Sequence, residues 1–502
     1  MKSSRSEAQA ATVWGRKGVR WGLLLLCAAA VQGIYLATSA ATHSAGYPLD
    51  DAWIHQTFAR SLAQRGEWAF LPGTVSGGST SPLWTMLLVP GQFVSGAAWV
   101  WTQILGGLCL FLTGWMGQRW YDRLVQADGG GRGGVPWVGL FLILEWHLSW
   151  AAGSGMETLL YAGLILAVFA GLTRAEPKWA WLGAAAGVGV WIRPDALTLL
   201  GPVGLVLLGM GGSGSTTLKR MLAVGTGFGA VFALYLGFNL LTAGSIWPNT
   251  FYAKQAEYAS LLAQPYAGRL LQMAAMPWVG AGLLLLPGAV YALGGWKRRQ
   301  WVVLAGLIWW LGYTGLYAWR LPVVYQHARY LIPAMPVIWT VGFWGMRALA
   351  KRMATAFAKF SLVRFAWGTL TAGVLLGFVV LGARSYAEDV AIIETEMVDT
   401  AVWIRANTEV DALIAVHDIG AVGYFGERRI VDLAGLVTPE LIPFLRDEER
   451  LCTYLDDQQV DYLVVFPNWY ESLENGKEVV YRSPGIYAPR AGGENMTVYR
   501  WR

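Results

Sequence analysis

Apolar residues fall into runs near 21–41, 97–118, 135–152, 156–173, 179–192, 195–210, 221–243, 276–294, 301–318, 331–347 and 365–382. Many are close to twenty residues, the length at which a helix crosses a hydrocarbon layer about 30 Å thick. The pattern predicts about eleven transmembrane helices, the shorter ones broken or tilted. Two apolar stretches read differently. Ser81–Val94 is short and carries Pro82, Pro90 and Gly91, which predicts a helix lying at the membrane surface. Residues 51–65 repeat Ile54, Phe58 and Leu62 every four positions. That single apolar stripe predicts an interfacial helix with Trp53, His55, Gln56, Arg60 and Arg65 around its other sides. From 383 to 502 the pattern changes to one helix at 386–406, strands at 413–417, 429–433 and 461–466, and short helices near 438–446 and 450–458. This predicts an α/β domain.

Composition agrees with the spans. Of 502 residues, 55% are hydrophobic and 14% charged, against about 25% charged in soluble domains. That excludes a disordered or fibrous chain and argues against a purely soluble enzyme. The first run exceeds the ~7–15-residue core of a signal peptide, so it is read as a helix. Cys27 and Cys109 lie in apolar runs and Cys452 stands alone in the polar part, so that part cannot form an internal disulfide.

Charge sets orientation. Residues 1–382 hold 27 Lys and Arg against 11 Asp and Glu, whereas 383–502 hold 11 against 21. The N-terminus 1–20 and loops 119–134, 174–178, 211–220, 295–300 and 347–364 carry 20 basic residues; the opposite loops carry 7. By the positive-inside bias the first set is cytoplasmic. The expected layout is a cytoplasmic N-terminus at 1–20, a transmembrane domain at 21–382 with a first outer loop at 42–96, and an extracytoplasmic domain at 383–502. The basic excess is a topology signal, not a nucleic-acid footprint.

The outer face is poor in charge. Outside the tail its acids are Asp50, Asp51, Glu67, Glu157, Asp195 and Glu257. Asp50 and Asp51 open the surface helix, where an Asp also serves as a cap or dipole partner. The flexible loop Gly73–Pro82 follows and suits a lid. Glu157 closes Ser154-Gly155-Met156-Glu157, which also reads as a capping box. Glu145 lies within a span, where an acid is a functional candidate. It stands two residues from His147, a spacing that does not share a helix face. Arg193-Pro194-Asp195 reads as a structural turn. Lys254, Arg329, Arg320 and His327 are the outer groups suited to an anion, or to snorkelling toward headgroups. Trp53, Trp84 and Trp247 are candidates to stack a sugar ring, as alternatives to interfacial anchoring.

Several segments, in chain order, carry a resemblance: Leu49-Asp50-Asp51-Ala52, Thr80-Ser81-Pro82-Leu83-Trp84, Ser154-Gly155-Met156-Glu157-Thr158, Arg193-Pro194-Asp195-Ala196, Pro248-Asn249-Thr250-Phe251-Tyr252-Ala253-Lys254, Arg329-Tyr330-Leu331-Ile332-Pro333-Ala334 and Asp418-Ile419-Gly420-Ala421-Val422-Gly423-Tyr424. With one span, an outer acidic pair, two surface helices, many spans and an outer tail, the chain resembles the GT-C membrane glycosyltransferases. Within them it is most similar to arabinofuranosyltransferase-like and protein mannosyltransferase-like proteins. His55 departs from the aromatic-rich helix usual after the acidic pair; it either aids the chemistry or faces water.

The resemblance implies transfer of a sugar from a polyprenyl-phosphate donor to an extracytoplasmic glycan, lipid or protein acceptor, at the outer face of a bacterial plasma membrane. Such a reaction needs a base for the acceptor hydroxyl and cations for the phosphate. Asp50 is expected as base, with Asp51 second and Glu157 as a second carboxylate. Lys254 and Arg329, then Arg320 and His327, are expected at the donor phosphate. Trp53, His55, Trp84 and Trp247 are expected near sugar or acceptor. No cofactor is required, although a divalent metal held by the acids is compatible. The alternative is a transporter or flippase of lipid-linked sugars, which predicts a polar track or inverted repeats that the sequence lacks. The tail shows no phosphate loop or metal set, and is assigned to acceptor contact or to covering the membrane cavity.

Overall fold

The computed structural model describes residues 17–131, 134–294, 300–354 and 360–502. Most of the expected cytoplasmic N-terminus, nearly all of the basic loop 295–300 and parts of 119–134 and 347–364 lie outside the described residues.

Helix α1 (Lys17–Thr42) leads into α2 (Asp51–Arg65) and α3 (Pro82–Leu88), and α4 (Ala98–Ala127) returns through the body. At seven residues, or about 10 Å, α3 is far too short to cross, as Pro82 and Pro90 imply. The run 135–152 is two helices, α5 (Trp137–Leu144) and α6 (Trp146–Gly153), parted at Glu145. The Glu145 backbone is extended, and its carboxylate accepts from the His147 amide at 3.0 Å and pairs with His147 Nδ1 at 2.9 Å. The two-residue spacing, unsuited to a helix face, is the spacing of an N-cap. Then follow α7 (Thr158–Leu172), α8 (Trp179–Ile192), α9 (Leu200–Gly209) and α10 (Gly214–Ala243). Helices α8 and α10 touch through backbone: a Cβ on Gly183 would lie 2.1 Å from the Val224 carbonyl oxygen, the small-residue contact by which helices pack in lipid. Next come α11 (Asn249–Glu257), α12 (Tyr266–Ala275), α13 (Leu286–Ala292), α14 (Trp301–Arg320), α15 (Met335–Ala354) and α16 (Phe360–Ile393). Residues Tyr266–Trp278 and Ala281–Ala292 meet at a 90° bend.

Among the described residues, five helices are long and apolar enough to cross a membrane, or six if the bent pair is one span. Helices at 158–172, 179–192 and 194–209 are apolar but shorter. That is fewer than the eleven expected from the apolar runs, several of which form short or broken helices.

A single helix, Ser361–Asn407, runs 47 residues. At 1.5 Å per residue it is about 70 Å long, more than twice a hydrocarbon layer. It therefore continues past the apolar body, in whose core Tyr386 and Val390 still lie, and its last turns, including α17 (Asp399–Asn407), carry the tail. There β1 (Leu413–Val416), α18 (Ile419–Phe425), β2 (Arg429–Asp432), α19 (Glu448–Asp457), β3 (Tyr462–Val465), β4 (Glu478–Arg482) and β5 (Thr497–Arg500) form a sheet in the order β2-β1-β3-β5-β4. β1 pairs in parallel with β2 and β3, and the last two strands run antiparallel. The fully buried β1 and β3 read as continuous apolar runs for that reason.

The tail is keyed to the body at two places. At a π turn, Glu394–Val398, buried Glu396 accepts from the Met496 amide at 2.9 Å and the Asn495 side chain at 3.1 Å. Ser483 Oγ donates to the Thr395 carbonyl at 2.7 Å. The second place corrects the reading of α2. Trp53, His55 and Gln56 stand on its non-apolar sides in the sequence reading, yet nearly every residue from Ala52 to Ser61 is buried, because α18 covers Trp53 on one side while His55 and Gln56 bond Thr85 and Thr102 of the body on the other. Arg60 donates to the Tyr424 carbonyl at 2.8 Å and stacks on the Tyr424 ring.

Glu396→Ala is expected to cost about 1–3 kcal/mol by orphaning buried donors. Amide exchange in residues 483–500 should accelerate relative to 413–432; equal exchange in variant and parent would contradict this anchor.

Candidate active site

The start of α2 faces the tail. Asp50 makes no side-chain cap to its own helix. Its carboxylate instead accepts from the Gly420 amide at 2.7 Å and the Ala421 amide at 2.8 Å, the first donors of α18. A Cβ on Gly420 would lie 2.1 Å from the Asp50 carbonyl oxygen, so only glycine permits the approach. Burial and the neighbouring Asp418 charge push Asp50 up to about 7, against those two hydrogen bonds. Burial likewise raises Asp418 to about 6, with His417 opposing.

Asp51 turns the other way. Its Oδ2 lies 2.8 Å from an Arg329 guanidinium nitrogen and 3.6 Å from Lys254 Nζ. Burial opposes its charge, but Lys254 and Arg329 outweigh that and hold the carboxyl well below the usual carboxylate range. Both cations also donate to the Tyr330 hydroxyl, Arg329 at 3.1 Å and Lys254 at 3.3 Å. Lys254 comes from α11. Arg329 follows a turn in which Gln326, His327 and Ala328 all have positive φ, a conformation that costs energy in non-glycine residues. Near Lys254 on α11, Glu257 lies 3.5 Å from His417 Nε2 of the tail. The carboxylate and its two cations thus sit where the first loop, α11, the 325–330 turn and the tail converge.

Glu157 joins a network reaching the same place. Its Oε1 accepts from Arg193 at 3.0 Å; Oε2 has no hydrogen bond and lies 3.8 Å from His55 Nε2. Arg193 also donates to Asp195 at 3.2 Å and to the Tyr317 hydroxyl at 2.8 Å. Tyr313 and Tyr317 donate to Asp195, and the Tyr317 ring stacks on Tyr330 with centroids 5.8 Å apart. The capping box read at Ser154–Glu157 is not made: Ser154 bonds Ala151 and Met156, and Glu157 makes no cap bond.

Of the other expected residues, His55 is buried and bonds Thr85 Oγ1 through Nδ1 at 2.9 Å, so it does not face water. Arg320 lies over the Phe251 ring at 4.6 Å, not on the Asp51 cluster. His327 pairs with Asp389 at 2.8 Å, beside a separate cavity of about 370 Å³ lined by Trp146, His147, Tyr325 and Gln326 among others. Trp53 packs against Tyr47, Tyr424 and Phe425. Trp84 is fully buried and donates to the Gly155 carbonyl at 2.8 Å. Trp247 is half-buried against Phe251. Trp53 and Trp84 therefore present no open face to a sugar.

Tyr330 and Glu257 were given no role from sequence, although both stood in view, one in a quoted segment and one among the scarce outer acids. Among the described residues no group of three His, Cys, Asp or Glu is placed to hold a metal. The acids are matched instead by organic partners: Asp51 by two cations, Glu157 by Arg193, Asp50 by backbone amides. The donor set does not fit a divalent ion.

Residues 386–499 match the model of a domain of unknown function, DUF8728. No curated protein sequence matches the chain. Among solved structures, the chain is similar to ArnT from Cupriavidus metallidurans bound to undecaprenyl phosphate, with a TM-score of 0.59 at 14% identity over 96% of this chain and 98% of that one. It is also similar to the archaeal oligosaccharyltransferase AglB from Archaeoglobus fulgidus in complex with an inhibitory peptide and a dolichol-phosphate, with a TM-score of 0.56 at 11% identity over 88% and 69%. The chain shares its fold with ArnT and AglB.

Proposed function

We propose that this protein is a membrane glycosyltransferase moving a sugar from a polyprenyl-phosphate carrier to an acceptor hydroxyl on the face that bears Asp51 and the tail. The observation that carries the reading is the Asp51 carboxylate held by Lys254 and Arg329, a base candidate and a phosphate clamp in one contact. The ArnT and AglB structures hold undecaprenyl phosphate and dolichol-phosphate, which supports a donor of that class. Loop charge supports a cytoplasmic N-terminus, and the apolar runs about eleven crossings. On that orientation the site faces the extracytoplasmic side, and the family resemblance suggests a bacterial plasma membrane. On this reading residues 1–20 are cytoplasmic, 21–382 form the membrane domain and 383–502 the outer domain, which roofs the site with His417 and Asp418.

Before donor arrives, Asp51 occupies the cations. The donor's phosphodiester carries one negative charge, as the carboxylate does, and competes with Asp51 for them; the departing lipid phosphate, a monoester, gains a further charge and binds them more strongly. Asp51 then loses the charges that depress its pKa and becomes a better base. The acceptor oxygen attacks the anomeric carbon as the bond from that carbon to the phosphate oxygen breaks. The hydroxyl proton passes to Asp51, and the charge on the departing phosphate is met by Arg329 and Lys254. Tyr330 orients both cations, and Glu157 with Arg193 and Tyr317 supports Tyr330. This assigns the base to Asp51 rather than Asp50, whose two oxygens are taken by the α18 amides.

In proteoliposomes supplied with a panel of radiolabelled polyprenyl-phosphate sugars, Asp51→Asn is expected to lower transfer about 100- to 10,000-fold, the usual scale of a lost general base. Asp50→Asn should cost less and should speed amide exchange at 418–425. Full transfer by Asp51→Asn, with Asp50→Asn inactive and its exchange unchanged, would return the base role to Asp50. Arg329→Ala and Lys254→Ala should each weaken donor binding about 10- to 100-fold, as loss of a charge-assisted hydrogen bond implies. Arg320→Ala should leave donor binding within about twofold, since its cation lies on Phe251. Equal losses in all three variants would contradict the assignment.

A further inference from the structure

At the far end of α7 from Glu157 lies a second feature that the proposed reaction does not use. A groove of about 310 Å³ runs between α7 and α8. Its walls are Ala167, Val168 and Gly171 on one helix and Trp181, Leu182 and Ala185 on the other. Arg174 and Lys178, from the loop joining the helices, close one end.

Three observations bear on what fits there. First, both cations are exposed, and among the described residues neither makes an ion pair or a side-chain hydrogen bond. The exposed Glu176 between them pairs with neither. Second, Arg123 crowds the same end. Arg119 and Arg174 face it with like charge. Arg123 already donates to the Ala170 carbonyl near the end of α7, which leaves Arg174 and Lys178 to another partner. Third, Trp181 is 74% exposed in a wall that is otherwise apolar, an indole placed as an interfacial anchor. An apolar trough capped by unpaired cations at headgroup level complements an amphipathic anion with one charged end and a hydrocarbon body.

We infer that the α7–α8 groove is a binding site for an anionic glycerophospholipid of the adjacent leaflet, its phosphate between Arg174 and Lys178 and an acyl chain along Ala167, Gly171 and Ala185. About the length of α7, some 22 Å, separates this site from Glu157. It is distinct from the Asp51 cluster, which takes the donor phosphate.

The test uses the full-length protein, delipidated in neutral detergent and titrated with phosphatidylglycerol, phosphatidylcholine, undecaprenyl phosphate or inorganic phosphate, with retained lipid read by native mass spectrometry. The parent is expected to retain phosphatidylglycerol well above phosphatidylcholine. The double variant Arg174→Gln/Lys178→Gln should lose about thirtyfold in apparent affinity, the effect of two basic residues at a membrane surface. Ala185→Trp, which fills the trough but keeps both cations, should lose the lipid as well, whereas Lys219→Gln should not. Indifference of the parent to headgroup charge would overturn the inference. So would unchanged retention in both groove variants, or saturation by inorganic phosphate alone. Groove-dependent retention of undecaprenyl phosphate in preference to phosphatidylglycerol would overturn the choice of occupant.

Discussion

The contact between Asp51 and the pair Arg329 and Lys254 is the constraint around which the rest of the molecule is arranged. Three charges half-removed from water are tolerable only when matched, and each comes from a different part of the chain: the first loop, α11 and the turn before α15. Tyr330 receives hydrogen bonds from both cations and rests on Tyr317, which belongs to the Arg193–Asp195–Glu157 network. Moving any one element would strand a charge in the others. The site is thus pre-organised around a carboxylate, and the monoester phosphate released by transfer offers the same cations a stronger partner.

The adjacent acid does a different task. Asp50 points away from the cations and fastens α18, so neighbouring residues split the work of reaction and closure. That division follows from helix geometry: successive residues at a helix start diverge by about 100°, and one faces the tail while the next faces the cleft. The tail reaches this place because the 47-residue helix runs from the apolar body directly into it, and Glu396 fixes its far side. His417 beside Glu257 adds a tail group next to the Lys254 helix.

Much of the architecture is legible in the sequence because bilayer thickness imposes a length on apolar runs. The long apolar runs in α1, α4, α10 and α14, the non-crossing α3 and the parallel strands of the tail follow from such patterns. Where side-chain chemistry overrides periodicity, the pattern misleads. Glu145 splits an apolar run by capping its second half, Gly280 at φ 98° marks another bend, and the helix through residue 383 has no break at the change of composition. The scarcity of outer charges singled out Asp51, Lys254 and Arg329, and these meet. The direction each of the twin acids faces was not legible, since it depends on a tail more than 360 residues away. Nor was the burial of Trp53, because the periodicity of α2 records the body beneath it and not the α18 helix above, nor that of His55, which depends on polar partners, Thr85 and Glu157, drawn from two other segments.

The most direct test of the central claim is the affinity of purified protein for undecaprenyl phosphate with and without the Asp51 charge. If the carboxylate stands in for the phosphate, Asp51→Asn frees both cations and should bind the lipid phosphate more tightly than the parent. Weaker or unchanged binding by Asp51→Asn, in protein whose fold is intact by circular dichroism, would contradict the account.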